Sequence, residues 1–408
     1  MLALVAGAGV AGCVVAVALR RAGFDVALVD AADHASDGVG AFLTLGANGV
    51  DALAAIGLGD AVGDLGFTTP EMVLRDRHHR RLVTFPAGAP REDGLAVRTM
   101  RRTDLYGALR DAAVAAGVDV AYGRRITGAR TGPEGVEATL ADGETLRADL
   151  LVGADGLGSR VRAAIDPAAP RARYTGLLNT GGYAQRPDDP AFTDAAPGVA
   201  NFCFGTRCFL GWLRTPDGDV WWFANPPSRR ELDRADLAAL SDGQWREHLW
   251  VLFAGDGLPL DALLAGTDDV FAGWNTYDFP RVPTWHSGRM VIIGDAAHAV
   301  SPSAGQGASM AIEDAVVLAQ CLRDQPDVEA AFTRYEAARR RRVEAIVARG
   351  KRTGDQKAAG PLGRVVRDRL VMPWLARSIA RGGTASDAWI TSHHLSWEAD
   401  MSAAAPGR

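Results

Sequence analysis

At 408 residues, with 48% hydrophobic and 23% charged side chains, the chain has a globular composition and is long enough for about two domains. A formal net charge of −5 gives it no general attraction for nucleic acid or for anionic membranes. Cys13, Cys203, Cys208 and Cys321 show neither metal-ligand spacing nor a CxxC redox pair, so no metal is expected and a reducing, cytoplasmic setting fits.

Residues 2–6 are a short apolar run that reads as a buried strand. Gly7-Ala8-Gly9-Val10-Ala11-Gly12 follows, then a helix pattern that ends near Gly23, then a second strand over residues 25–30. This is a βαβ unit of about thirty residues, the context a dinucleotide fingerprint requires. Gly7 permits the tight turn, Gly9 lets backbone approach a pyrophosphate, and Gly12 allows close helix–strand packing. The helix N-terminus offers unpaired N–H groups to phosphate. Asp30, at the end of the second strand, is placed to bond an adenosine ribose. Residues 1–19 carry no charge, and Val10-Ala11-Gly12-Cys13 resembles a lipoprotein cleavage site. An export signal needs basic residues before its apolar core, so the glycine spacing explains the stretch better.

Further along, a helix is predicted over residues 47–56, stopped by Gly57, and another over 104–116, ended by Gly117. Residues 118–151 read as short strands with turns such as Asp142-Gly143. Residues 173–277 alternate aromatic and polar side chains and contain a Pro216-Asp217-Gly218 turn, which predicts an antiparallel sheet interrupted by a helical stretch near 228–252. Residues 290–293 form a buried-strand signal leading into Gly294-Asp295; residues 305–324 and 328–350 read as helices. The last twenty or so residues look loosely ordered. Arg339-Arg340-Arg341-Arg342, with Glu336 and Glu344 nearby, reads as a solvated helix face, and Arg77-His78-His79-Arg80-Arg81 as an exposed hairpin tip.

The fingerprint alone does not say which dinucleotide binds; two distant segments do. Leu151-Val152-Gly153-Ala154-Asp155-Gly156-Leu157-Gly158-Ser159-Arg160-Val161-Arg162 resembles the "DG" motif of flavoprotein aromatic hydroxylases. Gly294-Asp295-Ala296-Ala297-His298, with Pro302 and Gly305-Gln306-Gly307 after it, resembles that family's second FAD motif. Arg102 matches the family's arginine that reaches the pyrophosphate, and residues 38–57 resemble its segment after the second strand. In this order, across residues 1–350, the set is similar to the single-component FAD-dependent monooxygenases of the para-hydroxybenzoate hydroxylase type.

The resemblance implies an α/β fold. A discontinuous Rossmann-like FAD-binding domain would take residues 1–70, 95–172 and 278–325. An antiparallel β-sheet substrate domain would take 71–94 and 173–277, and a C-terminal helical segment 326–408. It assigns FAD to Gly7, Gly9, Val10, Ala11, Gly12, Asp30, Arg102, Asp155, Asp295, Pro302, Gly305, Gln306, Gly307 and Ala308. Asp295 would accept a bond from a ribityl hydroxyl, and the helix beginning near Ala308 would favour negative charge at the flavin N1/C2 carbonyl. His298 would support the loop. No protein acid, base or nucleophile is assigned a catalytic role.

By the same resemblance NADPH or NADH is a transient reductant, and O2 adds to give a C4a-hydroperoxyflavin that hydroxylates or epoxidises an apolar, aromatic or polycyclic small molecule. Phe202, Phe204, Trp212 and Trp222, with Pro302, would line its pocket, while Trp221 and Phe223 point the other way. No nucleic-acid or membrane partner is expected, and a monomer or homodimer fits. The sequence departs from the family after Asp30, where Ala31-Ala32-Asp33-His34-Ala35-Ser36-Asp37-Gly38 has no arginine and His34 is the one possible cation. That shifts cofactor binding toward Arg102, Asp295 and backbone amides. Two rival readings share the fold. A flavin-dependent halogenase is disfavoured because Trp221-Trp222-Phe223-Ala224-Asn225-Pro226 does not match its tryptophan motif and no lysine precedes residue 351. A non-catalytic flavin-fold protein that shields a reactive intermediate would look alike in sequence.

Overall fold

The computed structural model describes residues 1–33, 41–89, 91–279, 281–357 and 388–402, with single positions 371, 374 and 377. β1 (Leu2–Ala6), α1 (Val10–Arg21) and β2 (Asp25–Val29) form the opening βαβ unit. Residues 3–6 of β1 are buried, as a central parallel strand covered on both faces must be. α1 ends where Gly23 takes a φ of +90°, a left-handed turn that lets the chain double back into β2. β3 (Phe42–Leu45), α2 (Ala47–Ala55), α3 (Gly59–Gly63) and β4 (Phe67–Thr68) follow. The hairpin of β5 (Glu71–Arg75) and β6 (Arg81–Pro86) comes next, then β7 (Arg98–Arg101), α4 (Arg102–Ala115) and β8 (Asp119–Ala121).

β9 (Ile126–Gly132), β10 (Gly135–Leu140) and β11 (Thr145–Ala148) make a separate antiparallel sheet. β12 (Leu150–Gly153) returns beside β1 in parallel, and α5 (Arg160–Ile165) leaves it. With β18 (His286–Ser287) and β19 (Met290–Ile292), the main sheet runs β18-β19-β12-β1-β2-β8, parallel except at its β18 edge. A small sheet of order β3-β7-β4 lies apart from it.

The second large sheet has seven strands in the order β17-β13-β16-β15-β14-β5-β6. Its members from the middle of the chain are β13 (Arg173–Ala184), β14 (Ala200–Phe204), β15 (Phe209–Arg214), β16 (Val220–Asn225) and β17 (Trp274–Asp278), with the short α6 (Pro190–Thr193) between β13 and β14. The helical stretch expected near 228–252 is two helices, α7 (Arg234–Ala239) and α8 (Asp242–Phe253), and a third, α9 (Leu260–Ala265), follows beyond it. They pack on one face of this sheet and close a second hydrophobic core with Trp212, Trp222, Trp245 and Leu263. The first core lies around the parallel sheet and the helices α1 and α11 (Gly307–Asp324). The short α10 (Asp295–His298) precedes α11, and α12 (Val328–Lys357) crosses behind it. No helix among the described residues is long and apolar enough to cross a membrane.

Two sequence expectations are corrected here. The arginine run of α12 is not a solvated face: Arg339 is 1% exposed and bridges two carboxylates that are themselves fully buried. Nor is all of the chain's end loose. In residues 388–402, α13 (Ala388–Thr391) and the segment after it are docked by side chains from the body of the protein. Arg342 donates to the carbonyls of Trp389 and Ile390, Gln320 to that of Ser396 and Arg323 to that of Trp397, and Asp51 accepts from the Leu395 amide. The hairpin tip at 77–81 is where the sequence put it, but His79 folds back to stack on Trp212 at 5.7 Å. Burial, with Arg75 beside it, lowers its pKa to about 4.

Candidate functional site

The glycine turn after β1 is built on two close approaches. Gly7 has a φ of +99°, and a Cβ there would lie 2.5 Å from the Ala154 carbonyl oxygen. A Cβ on Gly12 would lie 1.7 Å from the Gly7 carbonyl, so α1 sits directly on the turn. Gly9 behaves differently: it is the N-cap of α1, no side chain caps the helix, and a Cβ there would meet nothing within 4 Å. Hydrogen bonding along α1 begins with Cys13 donating to the Gly9 carbonyl at 3.0 Å. The amides of Val10, Ala11 and Gly12 are therefore left to an external acceptor, and no acidic side chain neutralises the first turn. Asp30 holds the turn from the side, its Oδ2 accepting from the Ala8 amide at 2.6 Å and its Oδ1 from the Ala32 amide at 2.8 Å. Residues 34–38, where the missing arginine was noted, lie outside the described residues.

The loop after β12 faces the same turn. The Asp155 carboxylate accepts from the Ser159 hydroxyl at 2.5 Å and from the amides of Arg160 and Val161 at 2.7 and 3.2 Å. It therefore acts first on its own loop, fixing the start of α5. Gly156, at φ +71°, again has open space where a Cβ would be. Sequence reasoning assigned no role to Arg162, which is buried with its guanidinium 4.5 Å from the centre of the Phe279 ring. It donates to the carbonyls of Leu157 and Ala296 at 2.8 and 2.9 Å, tying this loop to the one that carries Asp295. A buried arginine inside a glycine-rich motif was the available signal.

Gly294 turns the chain after β19 at φ +58°, and a Cβ there would press on Ala11 and Ala311, so this turn touches both α1 and α11. Asp295 opens onto solvent at this point although protein surrounds it closely. That surrounding raises its pKa, against the opposing charges of His298 and Arg102. Arg102 begins α4; its side chain donates to the Tyr106 hydroxyl at 2.6 Å and its backbone amide donates to the Ala41 carbonyl at 3.2 Å. His298 is buried and bonds Asp314 through Nε2, with Nδ1 unpartnered among the described residues, which suits a support for the loop.

α11 repeats the design of α1. Pro302 begins a 3-10 turn and is exposed; Gly305, at φ +60°, has open space at its Cβ position. Gln306 is the N-cap but does not cap: its Oε1 accepts from Asn48 at 3.1 Å. Hydrogen bonding along α11 begins with Met310 donating to the Gln306 carbonyl at 2.9 Å, and no acid sits in the first turn, where Gly307 and Ala308 lie. Asn48 also donates to Glu313 at 2.6 Å, and the Gly46 amide to the Ser309 hydroxyl at 3.0 Å. Beneath them Arg339 joins Glu313 and Asp314 at 2.6 and 2.7 Å, and Arg342 meets Glu313 at 2.9 Å. Burial would raise the pKa of each carboxyl. Arg339 and Arg342 hold Glu313 down at about 2, and His298 and Arg339 do the same for Asp314.

The strand β3 leads from α11 to the seven-stranded sheet. At one end Gly46 and Asn48 meet α11; at the other, Phe42 lies 5.6 Å from Trp221 and 6.1 Å from Phe223. On this side of the sheet aromatic rings follow one another from Phe204 through Phe209, Phe223, Phe42, Trp221 and Tyr183 at centroid separations of 5.1–6.1 Å, ending on Phe271. Phe202 stacks on Phe209 at 5.9 Å. Gly211 makes the surface flat, because a Cβ there would lie 2.3 Å from the Phe223 ring. Arg101, one residue before Arg102, lies 4.9 Å from the Tyr183 ring and 5.7 Å from that of Trp221.

The sheet corrects the expected lining. Phe202 and Phe204 share this face with Trp221 and Phe223, because Phe202 pairs with Gly211 and Gly211 with Phe223. Trp212 pairs with Trp222, and both point the opposite way into the second core, 1% and 0% exposed. The period of each strand was legible; the register between strands, which decides the shared face, was not.

The site's features fit a long dinucleotide. Two uncapped helix N-termini and three glycines with open Cβ positions converge around a closely surrounded carboxyl. A family model described as an FAD binding domain matches residues 1–188 and 274–350. An aurachin C monooxygenase/isomerase from Stigmatella aurantiaca is 31% identical over 86% of this chain and 88% of its own length. An FAD-dependent urate hydroxylase from Klebsiella pneumoniae is 31% identical over 87% of this chain and 90% of its own. Among solved structures, Klebsiella pneumoniae HpxO in complex with FAD and uric acid superposes with a TM-score of 0.81 at 28% identity, covering 96% of this chain and 97% of that one.

Proposed function

The chain belongs to the single-component FAD-dependent monooxygenases of the aromatic-hydroxylase type, and from that premise we propose that it hydroxylates or epoxidises an apolar, aromatic or polycyclic small molecule, using NADPH or NADH and O2. Bound FAD supplies the electron transfer and oxygen chemistry. The chain's own part is to hold the cofactor, hold the substrate and keep water out.

The amides of the first turn of α1, with Arg102, would take the pyrophosphate, and Asp295 a hydroxyl of the ribityl chain. The first turn of α11, uncapped and free of acids, would stabilise negative charge at the pyrimidine edge of the ring system. Asn48, Glu313 and Arg339 fix that turn from below. The aromatic face of the seven-stranded sheet would lie across the substrate, excluding water by its apolar area and orienting a flat molecule by ring-on-ring contact. One observation carries this reading: an unbroken row of aromatic side chains joined through Phe42 and β3 to the uncapped end of α11.

The test is whether the purified protein carries FAD, oxidises NADPH or NADH, and does so faster with oxygen uptake when a ring compound is added. FAD binding without nicotinamide oxidation would favour a protein that only shields a reactive molecule. Turnover that requires halide would favour a halogenase.

A further inference from the structure

We propose that the sheet face selects an uncharged ring compound carrying a hydrogen-bond acceptor, and that the side-chain amide nitrogen of Asn179 is the donor that meets it. The inference rests on reading that face as the substrate surface. Residues alternate sides along a strand, so Asn179 of β13 shares its side with Tyr183, and Asn225 of β16 shares its side with Phe223 and Trp221. The pairing of Tyr183 with Trp221 puts both sets on the aromatic side. Asn225 Nδ2 donates to Asn179 Oδ1 at 2.8 Å, which fixes the Asn179 amide with its nitrogen turned the other way. Asn179 is only 8% exposed, yet its Nδ2 meets no acceptor among the described residues. This nitrogen is not sealed from solvent, so on this face a ligand acceptor can take the place of water on a donor whose direction is already fixed.

Charge on the face sets the second half of the inference. Phe202, Phe209, Phe223, Trp221, Tyr183 and Asn179 carry no formal charge. Among the described residues the cation stacked on the aromatic row is Arg101, over Tyr183 and Trp221. Tyr183 lies four residues along β13 from Asn179, about 13 Å at ~3.3 Å per residue. With its acceptor at Asn179, an anionic ring compound would place its charge far from Arg101, whereas a neutral one of two or three fused rings would span the face.

The experiment measures equilibrium binding to the FAD-loaded protein, followed by the flavin absorbance, with three probes: chromone (uncharged, with a carbonyl acceptor), naphthalene (uncharged, without one) and 2-naphthoate (anionic). Chromone is expected to bind about fivefold or more tighter than naphthalene, the effect of one net hydrogen bond, and 2-naphthoate weakest. Asn179→Asp keeps the oxygen that serves Asn225 and removes the donor, so chromone's advantage over naphthalene disappears; Asn179→Leu gives the same loss. If either variant loses its FAD, the ranking of the three probes on the unaltered protein still decides. The proposal is overturned if 2-naphthoate binds as tightly as chromone, if both variants keep chromone's advantage, or if none of the three binds. Tight chromone binding without nicotinamide oxidation would instead count against the monooxygenase reading and leave this one standing.

Discussion

Arg339→Met removes a guanidinium that bridges two carboxylates buried at the back of α11. Glu313 and Asp314 are held at about 2 against ordinary values of 4.5 and 3.8, so at neutral pH each contributes on the order of 2–3 kcal/mol of stability. For depressed carboxyls that stability is complete above about pH 4.5 and is lost as the pH falls toward 2. In the variant Glu313 keeps Arg342 at 2.9 Å, whereas Asp314 loses its guanidinium and keeps His298 and the Gly294 amide. The cost therefore falls at the lower end of that for breaking a buried ion pair, about 3 kcal/mol. For a chain of 408 residues this is a fall in melting temperature of about 3–4 °C. Without Arg339, burial weighs more on Asp314, its pKa rises, and the acid-unfolding midpoint moves up. Calorimetry and circular dichroism between pH 2 and 8 measure both quantities. A variant that melts within 1 °C of the parent at pH 7 with an unmoved acid midpoint would refute the account of this network.

Gly7→Ala places a Cβ 2.5 Å from the Ala154 oxygen at a left-handed φ, so we expect a loss of about 2 kcal/mol or more and protein that purifies with little FAD, read by flavin absorbance per chain. Trp222→Ala should cost about 3–5 kcal/mol in thermal melts, because it empties a site in the second core and removes the indole N–H that donates to the Thr267 hydroxyl at 3.0 Å. Phe223→Ala, on the opposite side of the same strand, should cost less stability but weaken binding of aromatic probes about tenfold. The reverse pattern would mean that the faces of the sheet are misassigned. All four cysteines are buried, and burial pushes the thiols of Cys13, Cys203 and Cys321 up to about 12. A thiol reagent such as dithionitrobenzoate should label none of the four in the native protein within minutes and all four in denaturant.

What the sequence disclosed and withheld follows from the range of the interactions involved. Gly7, Gly12, Gly294 and Gly305 stand where local geometry demands a turn or a close approach, Gly9 leaves open space at the head of α1, and the order of such glycines along one chain carries the family resemblance. The helices and strands around them follow periods of 3.6 and 2 that neighbouring residues define. The facing of Trp212 and Trp222 depends instead on register between strands distant in sequence. Arg339 looked like one member of a surface run because its partners, Glu313 and Asp314, lie 25 or more residues away on another helix. The docking of residues 388–402 depends on arginines and glutamine whose targets are main-chain carbonyls, which leave no mark in composition. Arg101 and Asn179 were missed for the same reason: each gains its meaning from a ring or an amide brought in from elsewhere.

The central claim is that this chain transfers oxygen to a ring compound held on the aromatic face. The direct measurement is turnover of the FAD-loaded protein with NADPH or NADH under oxygen-18 gas, with the product analysed by mass spectrometry. The account predicts one labelled oxygen atom in the organic product for each nicotinamide oxidised, and loss of that incorporation in Phe223→Ala before loss of FAD. Label found only in hydrogen peroxide and water, with the ring compound recovered unchanged across a broad set of uncharged aromatic probes, would contradict it.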